Sequence, residues 1–498
     1  MPSTEGFALT ARGLALPVAV SMTAALAGMA TALAGSLAGY RALYYVAVFA
    51  LIIVAGMVAM TRREPLRFAF LALIVCFPIA AAEMPPGRLG LTIFDAVMIA
   101  LAIGLIGKRM FASRTASAPL FPTKSLLIAW LLCIPSVVFS QFPLYSLQIL
   151  CMSFGAYAFF LLALEELKRK GGFERLVVLL SGVSLVMAIG LFVDHFLQLN
   201  LSLRGSNLNQ LSYVAGKETW RAGGFFQDPQ KAGAFLACMI TFLLLLSIRG
   251  RFSGMKMRFA VRAAWVVGLA ALVTTISRSA ILACVAVSGL AVFAFNGWNP
   301  AAKLLVAAAA ALLALLAALT PMETWLNVVP AAVMDRFLES RSGFEDRYFI
   351  WVDTWNMFVD HPFAGIGLGS FQSYLAETRP TVFNFYGIGS AEGVVYIPDQ
   401  PESGYLKILY EGGIVGSLAA LLVAGDAIRR AIAVIAGNSA NPDARTEGIA
   451  ALAALLAFAV TFVTLFTVSD GRIAGIFAFF LAVIWHRSLQ DTQAASKT

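Results

Sequence analysis

Charge is scarce in this chain. Asp, Glu, Lys and Arg make up 13% of its 498 residues, against roughly 25% in an ordinary soluble domain. Histidine is scarcer: only His195, His361 and His486 occur. The five cysteines (Cys76, Cys133, Cys151, Cys238, Cys284) all lie inside apolar runs and show neither disulfide nor metal-ligand spacing. These shortages argue against a disulfide scaffold and a zinc cluster, and no metal or cofactor is expected. A nucleotide fingerprint is missing too. Gly365-Ile-Gly-Leu-Gly369 is not a G-x-G-x-x-G turn between a strand and a helix. No internal repeat is evident. The net charge of +9 is dispersed over loops, so a nucleic-acid partner is not expected.

What the chain has in quantity is apolar length. Hydrophobic residues make up 60% of it and mean hydropathy is +0.83. A span needs about 20 apolar residues, and within a bilayer the backbone must satisfy its own hydrogen bonds as helix. The expectation is an all-α polytopic membrane protein with about fourteen spans. They fall near 13–36, 41–60, 66–84, 91–107, 125–140, 144–164, 176–197, 231–248, 263–276, 279–296, 303–320 and 405–425, with two more to the C terminus. The first run is long and a second follows directly, so no cleavable signal peptide is expected.

The basic residues orient these spans. Lys and Arg crowd every second connection: Arg62 to Arg67, Lys108 to Lys124, Lys168 to Arg175, Arg249 to Arg262 and Arg429 to Arg445. By the positive-inside rule those connections and both termini are cytoplasmic. The wet loops at 198–230 and 321–404 then lie outside, facing the periplasm of a bacterium. Three parts follow: residues 1–320 with eleven spans, a large outer loop at 321–404, and residues 405–498 with three spans and a cytoplasmic tail.

One stretch, Ser342 to Gly416, differs from the rest. Ser342 and Glu345 have capping-box spacing, so a helix is expected from about Gly343. Arg347, Trp351 and Trp355 follow at i, i+4 and i+8 on one face. Pro362 ends that helix, and Gly365, Gly367 and Gly369 come next. Two further arginines fall on the outer side. Arg221 lies just before the span at 231–248, and Arg278 lies in the short turn between two spans. A lone arginine at a membrane surface snorkels to headgroups without further purpose. Three together, one with almost no loop to escape into, suggest a diphosphate site, because guanidinium groups grip phosphate oxygens in pairs.

These pieces together resemble the O-antigen ligase and polymerase family. One carrier is His361-Pro362 with Gly365, Gly367 and Gly369. Another is Tyr405-Leu406, Leu409, Glu411, Gly413 and Gly416. Arg347 with Trp351, the Arg221–Pro229 stretch and Ser277-Arg278-Ser279 complete the set. The resemblance implies an all-helical membrane fold like that of GT-C type glycosyltransferases. It also implies an inner-membrane enzyme whose active site faces the periplasm. The donor would be a glycan on undecaprenyl diphosphate, transferred to a hydroxyl without metal or nucleotide. Implied partners are that lipid-linked oligosaccharide, membrane lipids, a chain-length regulator and a flippase.

In that frame Arg221, Arg278 and Arg347 would hold the diphosphate, with Arg278 also counted as catalytic. Trp351, Tyr405 and Asp399 are candidates for the glycan; for the loop-helix aromatics, anchoring at the membrane interface is the competing reading. Ligase-type members place a histidine two or three residues before the Tyr-Leu pair. Here Glu402-Ser403-Gly404 stands there, which tilts the reading towards a polymerase with Glu402 as base. Asp399 is the alternative base, and a solvated carboxylate near a helix N-terminus is the plain reading of Glu402. From another class, a lipid-linked oligosaccharide flippase has a similar span count, but transporters tend towards repeated halves.

Overall fold

The computed structural model describes residues 64–78, 92–111, 124–198, 201, 211–214, 217–226, 228–252, 254–295, 340–378, 401–436, 442–464, 466, 468 and 470–495. The expected spans at 13–36, 41–60 and 303–320 lie outside them. The helices are α1 (Pro65–Val75), α2 (Ile93–Phe111), α3 (Lys124–Val138), α4 (Pro143–Leu167), α5 (Gly172–Leu197), α6 (Pro229–Ile248) and α7 (Met255–Thr274). They continue with α8 (Arg278–Phe295), α9 (Ser340–Asp360), α10 (Phe371–Thr378), α11 (Gly404–Ala436), α12 (Pro442–Phe462) and α13 (Gly471–Ala495). Six of them, α4, α5, α6, α7, α12 and α13, are long and apolar enough to cross a membrane.

The helix starts follow local chemistry. Pro65, Pro143 and Pro229 sit at first-turn positions, where a missing N–H costs nothing. Asp228 caps α6 by accepting from Gln230 N at 2.7 Å. Several boundaries differ from expectation; the span expected at 405–425, for one, runs on to Ala436 and takes in Arg429 and Arg430. The span expected at 66–84 is an eleven-residue helix that stops before Pro78, whose ring excludes the preceding residue from helical geometry. The helix expected from 263 starts at Met255 and takes in Lys256, Arg258 and Arg262, whose stems follow the helix while their charges stay wet. The loop helix starts at Ser340, so Ser342 lies in its first turn and does not cap it.

An all-α chain was expected, and among the described residues one exception stands. Strands β1 (Leu211–Val214) and β2 (Lys217–Trp220) pair antiparallel, with Val214 opposite Lys217 across the two residues Ala215-Gly216. A two-residue connection ending in glycine between short β-prone segments is a hairpin signal.

Helix α6 is central. It packs on α7, α8 and α12, while α5 packs on α7, α13 on α4, and α3 along α11. One continuous apolar core runs through this bundle, with Phe235, Phe242, Phe479 and Trp485 fully buried.

The two ends of the bundle differ chemically. At one end the basic connections meet buried acids. Glu166 binds Arg67 at 2.7 Å and also pairs with Arg175. Glu447 binds Arg251 at 2.6 Å and Arg487, and Arg251 reaches Glu174 at 2.8 Å. Arg251 is held more firmly protonated than usual, because the Glu447, Glu174 and Asp443 charges outweigh its burial. The other end carries the unusual residues of the sequence.

Candidate active site

The site begins with a break in α11. Gly413 has φ 62 and ψ −162 inside that helix. A break frees the carbonyls before it and the amides after it, and in an apolar setting these need other partners. The segment after α9 supplies them. Ile366 N donates to Tyr410 O at 3.0 Å and Gly367 N to Glu411 O at 3.1 Å. In return Ile414 N donates to Pro362 O at 2.9 Å and Val415 N to Phe363 O at 3.2 Å. The two halves of the sequence motif are thus one hydrogen-bonded unit. Gly365 is required by contact and by conformation: φ is +72, and a Cβ there would lie 2.3 Å from Glu411 O. Helix α3 closes the unit from the side, with Ser136 Oγ donating to Gly412 O at 3.2 Å.

Beneath this unit lies a small apolar cluster of Met357, Ile366, Phe371, Tyr374, Leu375 and Tyr410. A buried ion pair borders it. Lys407 Nζ lies 2.7 Å from Glu411 Oε1, with the side chains 9% and 4% exposed. Tyr410 Oη donates to the same oxygen at 3.1 Å. The ammonium also sits 5.9 Å from the Phe371 ring centre and 5.3 Å from that of Phe466. Glu411 belonged to the sequence motif, but Lys407 was missed. Its signal was available, as a Lys–Glu pair at i and i+4 in an apolar helix.

Glu402 precedes α11 with φ +52, left-handed backbone that an ordinary residue adopts only at a cost. Its neighbour Ser403 accepts from Leu406 N and Lys407 N at the start of the helix. Glu402 is half-buried beside that N-terminus, where the dipole favours a carboxylate. Tyr405 is 49% exposed and donates from Oη to Ala459 O at 2.8 Å. Asp399 lies outside the described residues.

Two of the three arginine segments meet. Arg221 is buried and donates from Nε to Thr275 O at 3.4 Å, while Ala222 N donates to Thr274 O at 3.1 Å. Three residues beyond Thr275, the half-buried Arg278 opens α8. Between them Ile276 has φ +50, a strained value for a β-branched residue. Arg347 is carried by α9, which packs on α11; its side chain lies outside the described residues. On the same helix Trp351 is half-buried and Trp355 is 52% exposed, 5.4 Å from the Phe358 ring.

The Arg221 loop is braced by residues absent from the sequence reading. Asp194, buried near the end of α5, accepts from Gly223 N at 2.9 Å, Gly224 N at 2.6 Å and Trp220 Nε1 at 3.0 Å. Arg472 holds Asp470 at 2.7 Å, donates to Phe225 O at 3.0 Å and covers the Phe226 ring at 4.2 Å. Both are charges at the ends of apolar runs, which was the signal to follow. His361 stands 3.1 Å from Tyr374 Oη, and His486 is buried in α13.

Residues 263–421 match the family model described as O-antigen ligase. This region is therefore similar to the O-antigen ligase family. Members of that family are glycosyltransferase-like enzymes. The matched region starts within α7 and ends within α11. It contains Arg278, Arg347, the glycine segment, Glu402 and the Lys407–Glu411 pair, and leaves Arg221 and Arg472 outside. No curated protein matches the chain.

Proposed function

We propose that the protein is a polysaccharide polymerase of the bacterial inner membrane. It transfers a glycan from undecaprenyl diphosphate to a hydroxyl of a second lipid-linked repeat unit, with no metal. The observation that carries this reading is the hydrogen-bonded union of the glycine segment with the broken helix α11, inside the region similar to the O-antigen ligase family. The proposed architecture is of GT-C type, with about fourteen spans, cytoplasmic termini and the broken helix at the periplasmic face. A chain-length regulator and a flippase are its proposed partners.

In the proposed reaction the bond between the anomeric carbon and the diphosphate oxygen breaks, and the acceptor hydroxyl oxygen bonds to that carbon. The hydroxyl proton passes to the Glu402 carboxylate, with Asp399 as the other candidate. The electron pair of the broken bond stays on the lipid diphosphate, where Arg221, Arg278 and Arg347 offset the growing charge. Trp351 and Tyr405 are the proposed glycan contacts. The absence of histidine before Tyr405 favours polymerase over ligase in this reading.

A deletion strain tests it. A polymerase leaves single repeats and no long polymer, whereas a ligase leaves free polymer that never reaches lipid A-core. Chain growth by the purified protein on a lipid-linked repeat, without translocation, separates the enzyme from a flippase.

A further inference from the structure

The end of α11 opposite the helix break carries a second feature. Ser125 Oγ donates to Asp426 Oδ2 at 2.5 Å, just as Ser136 reaches Gly412 near the other end of α3. The two helices are therefore antiparallel neighbours over fourteen residues of α11, roughly 20 Å at 1.5 Å per residue. At the Asp426 end they leave a groove of about 620 Å³, lined among others by Lys124, Leu421, Leu422, Asp426, Arg429 and Arg430.

Three cations, Lys124, Arg429 and Arg430, and one carboxylate, Asp426, line it. Asp426 Oδ1 accepts from Arg429 at 2.7 Å and from Arg430 Nε at 3.2 Å, so a net charge of about +2 remains. Arg430 is rigidly placed: it donates to Ser488 Oγ at 3.3 Å and lies 4.7 Å from the Trp485 ring centre, with its side chain 12% exposed. Those bonds use two of the five guanidinium donors. A snorkelling arginine would not be pinned from two sides in this way.

The wall below the cations is apolar and open. Leu421 is 66% exposed and Leu422 38%, and on α3 Leu127 and Ile128 are also exposed. A cationic rim anchored at Arg430 above an exposed leucine wall matches an amphiphile with an anionic head and acyl tails. A free phosphate ion has no use for the wall. We propose that this groove binds the phosphate headgroup of an anionic phospholipid in the leaflet opposite the candidate active site. Basic pockets between spans attract such headgroups at a few-fold in affinity per cation.

The test uses the full-length protein in detergent micelles with a phosphatidylglycerol or a phosphatidylcholine carrying a photoactivatable acyl chain. Adducts are mapped by peptide. Phosphatidylglycerol should label the Leu421–Leu422 and Leu127–Ile128 peptides at least five-fold more than phosphatidylcholine. Lys124→Gln with Arg429→Gln removes two exposed cations and leaves the buried contacts of Arg430 in place. That double variant should bring the two lipids close to parity, and its unchanged melting temperature in phosphatidylcholine micelles would show that it folds. Equal labelling by the two lipids in the parent protein overturns the proposal, as does a preference that survives in the double variant. Binding of inorganic phosphate alone at sub-millimolar concentration, with the two lipids at parity, identifies a free anion and also overturns it.

Discussion

A Cβ placed on Gly413 would lie 2.6 Å from the amide nitrogen of Gly365. The two glycines belong to motif halves nearly fifty positions apart in the chain, and each makes room for backbone of the other's segment: Gly413 for Phe363 and Gly365, Gly365 for Tyr410 and Glu411. Gly413→Ala and Gly365→Ala should each separate the glycine segment from α11. An alanine at positive φ costs about 1–2 kcal/mol before any clash is counted. The expected outcome is a lower melting temperature in detergent together with loss of polymer. A Gly413→Ala protein with parental melting and parental polymer length would contradict the close approach.

The Lys407–Glu411 pair should behave as a buried ion pair. Lys407→Met leaves a carboxylate without its cation and should destabilise the protein by about 3–5 kcal/mol. Replacing both, as Lys407→Met with Glu411→Leu, should recover much of that loss. Folded yield after extraction and thermal melting measure this. A double variant no more stable than the single one would show that the pair does more than neutralise charge.

The proposed diphosphate clamp predicts a loss of activity without a loss of protein. Arg221→Ala, Arg278→Ala and Arg347→Ala should each slow chain growth by about 10²–10³, by analogy with removing an oxyanion donor. Lysine replacements should rescue poorly, because an ammonium lacks the planar fork. Full-length polymer from Arg278→Ala would remove from the clamp the member that opens α8.

Glu402 allows charge and strain to be separated. Glu402→Gln keeps the shape and should slow transfer by about 10²–10⁴ if the carboxylate takes the proton. Glu402→Gly relieves the left-handed backbone and should raise stability by up to about 1 kcal/mol while activity falls. Chain extension by purified enzyme and a melting curve read the two effects. A Gln variant that extends chains at the parental rate would eliminate Glu402 as the base.

The proposed orientation predicts accessibility. A tag between residues 375 and 400 should be labelled by an impermeant reagent from outside the cytoplasmic membrane. A tag beside Arg251 should be labelled only after permeabilisation. External labelling of the Arg251 connection would reverse the orientation and move the candidate site to the cytoplasm.

Composition and periodicity alone determined the class of this protein. A chain that is 60% apolar and only 13% charged, in repeated runs long enough to span, folds as membrane helices, because lipid offers no partner for a free backbone group. The order of Arg221, Arg278, Arg347, the glycine segment and the Tyr405–Gly416 run was also legible, since each is local in sequence. What joins them was not. The bonds from Ile366 to Tyr410 and from Ile414 to Pro362 depend on a helix break whose orphaned groups find partners some fifty residues upstream. The support of Arg221 by Asp194 and Arg472 draws on α5 and on the start of α13, and no spacing rule connects those positions. Local motifs name the residues, whereas a contact between distant segments exists only once packing has brought them together.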